Sequence, residues 1–405
     1  MSTTYDAVVV GGRVAGASTA MLLARAGARV VLLDRAPYGS DTLSTHALMR
    51  AGVLQLSRWG VLGEVVAART PPVQRIRFHY ENEETVQVSE GPSSGVDALY
   101  APRRHVIDRI LVDAAAAAGV EVRHDVTAVG LTRGPAGRVT GVRANTRQGR
   151  RFDVEGRIVI GADGIRSVVA DGVGAAVERR GRHVGAVLYG YYANLPSVGY
   201  EWAYGRQPGA GMLITNDGLT CVFVGTTPQR MRSLRRDGVE SAFGTLFAAA
   251  APAHIDRLGG STRVGRLRGW VGVHGYLRRS WGPGWALVGD AGYFKDPISA
   301  HGMTDALRDA ELLADAVLSG WSGDVSEADA LAGYQARRDA LSVRLFHATD
   351  LIASYDWDNR QIQQLGREVS SAMSDEVELL QALPDRRIGA DINGFIPPDS
   401  LLSRR

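Results

Sequence analysis

Short apolar runs, each closed by a glycine or an acid, set the rhythm of the first part of the chain. Ala7–Val10 is wholly apolar and predicts a short strand. A glycine turn follows. Ala15–Ala26, rich in Ala, Leu and Met, predicts a helix that Gly27 ends. Arg29–Leu33 is the second strand and runs into Asp34. The same alternation returns at Val106–Gly119, helical by its Ala and Leu, followed by the strand-like Val120–Arg123. Arg157–Ile160 is an apolar strand that enters a loop at Gly161.

From about 172 the pattern changes. Ala186–Tyr192, Tyr200–Tyr204, Met212–Thr215 and Leu219–Gly225 are short alternating or aromatic runs, which predict antiparallel strands. Arg230–Ala251 between them predicts helix. Trp285–Val288 is again an apolar strand, and Ala306–Leu318 is helical. From about 325 the tail is mostly helical, turning polar and proline-containing from Pro384. No internal repeat or low-complexity tract interrupts this. The expected fold is α/β: a Rossmann-type nucleotide-binding unit over 1–171 that returns over 278–320, an antiparallel sheet inserted at 172–277, and a mostly helical segment over 321–405.

Composition narrows the class without choosing a function. A chain of 405 residues with 45% hydrophobic and 22% charged residues has room for two intertwined domains. Basic and acidic residues nearly cancel, 46 against 43, and no basic run carries interleaved aromatics, so nucleic acid is not an expected partner. Nearly all the positive charge is arginine, as a GC-rich coding sequence gives; Lys295 is the one lysine. The single cysteine, Cys221, has no intrachain partner for a disulfide and lies in an apolar run, where it reads as a small core residue. That suits a reducing, cytoplasmic setting. The N-terminus lacks the charged region of a signal peptide, and no stretch is long and apolar enough to predict a membrane span.

The chemistry begins at Val8-Val9-Val10-Gly11-Gly12-Arg13-Val14-Ala15-Gly16, a Rossmann fingerprint with one departure. Gly11 permits the tight turn off the strand and Gly16 lets the helix pack close to the sheet. Arg13 stands where a glycine normally lets the backbone approach a pyrophosphate. The helix N-terminus still offers N–H groups and a positive dipole to an anion. Asp34, closing the second strand, is placed to accept hydrogen bonds from a ribose.

Two later strand ends carry further motifs: Gly161-Ala162-Asp163-Gly164-Ile165-Arg166-Ser167, and Gly289-Asp290-Ala291-Gly292 followed by Pro297, Gly302 and Asp309. The second sets a carboxylate where it can hold polyol hydroxyls, then starts a helix whose N–H groups can face an anionic ring. A simple nicotinamide dehydrogenase has no need of it.

Three separated motifs in this order resemble the class A flavoprotein monooxygenases, the para-hydroxybenzoate hydroxylase superfamily, which includes geranylgeranyl reductases and flavin halogenases. The resemblance covers roughly residues 5–320. It implies an FAD cofactor with Gly11, Gly12, Arg13, Val14, Ala15 and Gly16 at the pyrophosphate. It implies Asp34 on the adenosine ribose, Arg35 near the adenine, and Val126 meeting adenine through its backbone. Arg104 is implied to contact the phosphates or ribityl chain. Asp163 and Gly164 match a loop tied to FAD and NAD(P)H binding. Gly289 and Asp290 match the ribityl-binding motif, and Pro297, Gly302 and Met303 the loop beside the isoalloxazine. Ala300, Thr304 and Ala170 depart from that pattern, which usually has Gly, Asn and Arg there.

The implied reaction is a hydroxylation. NADH or NADPH reduces FAD, the reduced flavin adds O2, and the C4a-hydroperoxide delivers oxygen to an aromatic or polyketide-like small molecule. The alternative is flavin-dependent reduction of the geranylgeranyl reductase type. A halogenase reading lacks its Trp-x-Trp-x-Ile-Pro segment, and a redox-sensing flavoprotein without turnover is a fourth possibility. Tyr192, Trp202, Tyr204, Met212, Phe223 and Trp270 are candidate substrate walls, each also explicable as core. His46 and Lys295 are candidate catalytic groups, Lys295 beside the flavin or as a partner of Asp296, and His301 lies inside the flavin loop. No metal site is expected, and the assembly is expected to be a monomer or homodimer.

Overall fold

The structure is a computed structural model that describes residues 4–81, 84–89 and 95–383. Tyr5–Val10 lies in the middle of the first sheet, parallel to Val30–Leu33 on one side and to Arg151–Gly161 on the other. Glu121–Arg123 extends the sheet beyond Val30–Leu33, and Trp285–Leu287 extends it beyond Arg151–Gly161, both in parallel. The central run is wholly apolar because both of its faces are covered. Ala7 and Val9 pack against helices Val14–Arg25 and Gly302–Ser322. Val8 and Val10 face an antiparallel arm, Val126–Arg133 and Val139–Thr146.

The registers Val10↔Gly161 and Gly161↔Leu287 bring the carboxyl ends of three parallel strands side by side. Each of the three sequence motifs leaves from one of these ends. Trp285–Leu287 joins after a long excursion, so the nucleotide-binding fold is discontinuous.

The excursion builds a seven-stranded sheet in the order Thr262–Val271, Ala186–Ala193, Leu219–Thr226, Gly209–Ile214, Tyr200–Tyr204, Arg75–Tyr80, Thr85–Ser89. Two of these strands come from ahead of position 172, where the sequence pattern placed only nucleotide-binding chain. Arg75–Tyr80 pairs parallel to Tyr200–Tyr204, a partner that the chain reaches only later. Val177–Arg180 and Tyr276–Arg278, inside the expected insert, belong instead to a small sheet with Tyr293–Phe294.

Helix Val239–Ala250 covers one face of the seven-stranded sheet through Phe243, Leu246 and Phe247. The other face looks toward the loop before Gly302. Helices Glu327–Ile352 and Asn359–Gln381 pack outside Gly302–Ser322, and Asp358 and Gln361 form a capping box that starts the last helix.

Candidate functional site

The first turn is forced by close approach. Gly11 has φ +104°, and a Cβ there would lie 2.4 Å from the Ala162 carbonyl oxygen. A Cβ on Gly16 would lie 1.8 Å from the Gly11 carbonyl oxygen, so helix and turn pack backbone to backbone. Val14 and Ala15 open the helix, whose N-terminus has no side-chain cap and no acid in its first turn. Its N–H groups are left to whatever anion lies in front of them.

Asp34 is buried and ties this turn to the next. Its Oδ2 accepts from the Gly12 N–H at 2.6 Å and its Oδ1 from the Ala36 N–H at 2.7 Å. Its carbonyl accepts from the Val126 N–H at 3.0 Å, which sets Val126 beside it, while Arg35 points into solvent. The Arg13 guanidinium turns onto the Ser40 carbonyl at 2.6 Å and Asp108 at 2.8 Å. Arg104 reaches the other oxygen of Asp108 at 3.1 Å. One carboxylate therefore holds both arginines beside a cleft bordered by Gly12, Tyr38 and His124.

In the second turn, Asp163 accepts from Ser167 Oγ at 2.5 Å and from the Val168 N–H at 2.7 Å. Gly164 follows with φ +78°. The Asp163 carboxylate thus fastens the start of the short helix Val168–Val173, in which Ala170 is buried.

In the third turn, Gly289 lies against Ala15 of the first helix. Asp290 is crowded by surrounding protein yet keeps exposed surface. Burial pushes its carboxyl up to about 6, and the charges of Arg104 and Lys295 pull it down.

Beyond it, Asp296 accepts from the Gly185 N–H at 2.7 Å and the Ile298 N–H at 3.0 Å, fixing the loop that carries Pro297. Ala300 takes φ +50°, a left-handed conformation that costs a non-glycine residue about 1–2 kcal/mol. Gly302 then starts its helix without a side-chain cap, and Met303 is buried behind it. Thr304 Oγ1 accepts from the Met49 N–H at 3.1 Å, a local use for its departure from the family pattern. Two uncapped helix N-termini flank an open carboxylate and a glycine turn. That donor set fits a flavin dinucleotide, with its diphosphate, polyol and ring.

The candidate catalytic groups are engaged elsewhere. Lys295 contacts Asp305, not Asp296, and both are buried. Burial and Arg308 push its ammonium down, to about 7, against the opposing charges of Glu376, Asp309 and Asp290. His301 Nε2 bonds Glu376 at 2.7 Å, and Arg308 bridges Asp305, Asp309 and Glu376. His46 has φ +73° and bonds the Tyr191 hydroxyl through Nε2 at 2.6 Å. Burial, then Arg104, push its imidazole down to about 3, so it is neutral at physiological pH.

Between the seven-stranded sheet and Pro297–Ile298 lies a narrow apolar chamber, partly open to solvent, with a cavity volume of about 30 Å³. Trp202, Tyr204, Phe223 and Trp270 line it. Tyr192 and Met212 do not, because strand side chains alternate and theirs face the opposite way. Tyr192 stacks on Phe243 with ring centroids 6.0 Å apart, and Met212 Sδ lies 2.8 Å from Arg257. The sequence reading missed Thr45, Val187 and Ile298 as walls, and above all Tyr355, which the tail sends back into the chamber. Thr45, Ile298 and Tyr355 lie outside the strands read from sequence, and Val187, though on one, is a small side chain that nothing in its strand's pattern singles out as a wall.

The family defined by an FAD-binding domain matches residues 4–349. The chain belongs to this FAD-binding family. Its motifs place it within the class A flavoprotein superfamily. It is similar to a digeranylgeranylglycerophospholipid reductase of Methanothrix thermoacetophila, 29% identical, covering 85% of this chain and 86% of the relative. It is also similar to a menaquinone reductase of Mycolicibacterium smegmatis, 28% identical, covering 81% and 80%. Among solved structures, the fold resembles the flavin-dependent brominase Bmp2, with TM-score 0.78, 15% identity and 94% of each chain covered. It also resembles PqsL of P. aeruginosa in complex with 2-aminobenzoylacetate, with TM-score 0.77, 22% identity, and 92% and 100% covered. This FAD-binding chain is thus a member of an oxidoreductase family. Among its described residues no helix is long and apolar enough to cross a membrane.

Proposed function

We propose that this protein is an FAD-dependent reductase that saturates a carbon–carbon double bond in an apolar, unsaturated small molecule. The observation that carries the reading is the chamber: aromatic and aliphatic walls, no cation among them, and one carboxylate, Asp296, already holding two backbone N–H groups. Such a space favours an uncharged hydrocarbon segment and offers no cationic side chain to hold a phenolate. The reductase names of the two curated relatives support the same class. This reverses the order of the two readings expected from sequence.

When bound, FAD supplies the two-electron exchange, drawn from NADH or NADPH. In this proposal Asp290 would hold the ribityl chain and the turn Gly11–Gly16 the diphosphate, and the N–H groups at Gly302 and Met303 would serve the ring. Trp202, Phe223 and Trp270 exclude water and fix the substrate plane. Overall, one NAD(P)H and one proton add two hydrogens across the double bond.

Oxygen insertion is the second reading, favoured by the three-motif likeness to the hydroxylases. The test is turnover of polyprenyl and polycyclic aromatic substrates with NADH or NADPH, with and without O2. A product heavier by two hydrogens, formed anaerobically, is expected. A product heavier by one oxygen, with matched O2 uptake, overturns reduction in favour of hydroxylation.

A further inference from the structure

Behind the chamber wall, on the opposite face of the same sheet, three side chains converge. His79 lies on strand Arg75–Tyr80 and Glu201 on its parallel neighbour Tyr200–Tyr204. His254 comes from the turn Pro252–His254. Their ligand atoms lie within 4.8 Å of one another. His79 Nε2, Glu201 Oε2 and His254 Nε2 are each buried, and none has a hydrogen-bond partner. His79 Nε2 and Glu201 Oε2 stand 3.5 Å apart. Three buried polar atoms aimed at one point, with only the long 3.5 Å approach of His79 to Glu201 among them, are costly unless something electron-poor is shared among them.

We propose that His79, Glu201 and His254 form a binding site for one divalent transition cation, of which Zn²⁺ is the type. Two imidazole nitrogens and a carboxylate oxygen are the donor set that a borderline cation takes, and a fourth position is left for water. The surrounding groups are arranged as such a site requires. The other nitrogen of His79 is 3.0 Å from Thr85 Oγ1, which fixes the ring with Nε2 toward the cluster. The other oxygen of Glu201 accepts from Ser197 at 2.9 Å and Arg257 at 3.0 Å, which leaves Oε2 free. The cation would be a strut. It would pin the turn at His254 to two strands whose alternate residues, Phe78 stacked on Trp202 and Tyr80 on Tyr204, back and line the chamber. Positions 79, 201 and 254 are too scattered for any ligand-spacing motif, which is why no metal site was expected from sequence.

The test uses the full-length, tag-free, FAD-loaded protein stripped with a chelator. It is titrated with Zn²⁺ by calorimetry and followed by thermal melting, beside a His79→Gln/His254→Gln double variant. One Zn²⁺ bound per chain is expected, with a raised melting temperature and affinity at least tenfold weaker in the variant. Flavin absorbance should be the same in both proteins. Co²⁺ should give visible ligand-field bands in the parent alone. Absence of Zn²⁺ binding by the parent, or equal binding by parent and variant, overturns the proposal.

Discussion

At the residue scale, Asp290 and Arg13 differ in what they leave open. Asp290 is crowded by protein yet keeps exposed surface, and desolvation raises its carboxyl to about 6. On the proposed reading it holds the ribityl chain, so Asp290→Ala should purify with most of its FAD lost. The ratio of flavin to protein absorbance measures this, and a fully yellow variant would remove Asp290 from the site. Arg13 is the contrary case. Its guanidinium is committed to Ser40 and Asp108, and Asp108 keeps Arg104 when Arg13 is gone. Arg13→Gly should therefore bind FAD within about threefold of the parent, because the turn and the helix terminus persist. Complete loss would show that the guanidinium itself meets the phosphates. The glycines and acids of the three turns were legible because their chemistry tolerates few substitutes. Lys295 and His46 were not, because a sequence shows a titratable group without showing the neighbour that neutralises it. Asp305 lies ten positions from Lys295, and Tyr191 lies on a distant strand.

At the scale of elements, helix Asn359–Gln381 holds the start of helix Gly302–Ser322 through charge. Glu376, on Asn359–Gln381, meets His301 and Arg308 at the opening of Gly302–Ser322, and all three are buried. Removing one partner from a buried cluster costs about 3–5 kcal/mol. Arg308 keeps Asp305 and Asp309, so Glu376→Ala should cost about 3 kcal/mol in urea unfolding. The pH dependence has a definite sign. Although burial raises it, His301 and Arg308 hold the Glu376 carboxyl at about 2, below its ordinary 4.5. In that window the unfolded chain binds the extra proton. The contribution is complete above 4.5 and is lost as pH falls toward 2. Glu376→Gln should flatten the acid limb of the stability curve, and an unchanged limb would show that the cluster is not held by this charge. The tail's helices were readable from composition, but their task was not, since it depends on which earlier helix they meet. Arg75–Tyr80 was missed for a related reason. Its alternation of Ile76, Phe78 and Tyr80 is a strand signal, but its partner lies more than a hundred residues further on.

At the scale of the whole molecule, three distant stretches close one chamber. The inserted sheet supplies Trp202 and Phe223, the loop before Gly302 supplies Pro297 and Ile298, and the tail supplies Tyr355. On the proposed reading, cofactor and substrate sites share a boundary while resting on different walls, and damage to one should leave the other intact. Gly225 tests this. It lies in the sheet where a Cβ would come within 2.3 Å of the Tyr355 hydroxyl, and Tyr355 itself holds a left-handed φ of +53° that leaves little freedom to yield. Gly225→Ala should push the tail's ring into the chamber without touching any of the three turns. FAD content should then match the parent, while kcat/KM for whatever substrate the parent turns over falls at least about tenfold, a loss of roughly 1.4 kcal/mol in transition-state stabilisation. If FAD is lost in step with activity, the chamber and the cofactor cleft are one mechanical unit. If neither changes, the tail gives way and Tyr355 is no wall at all.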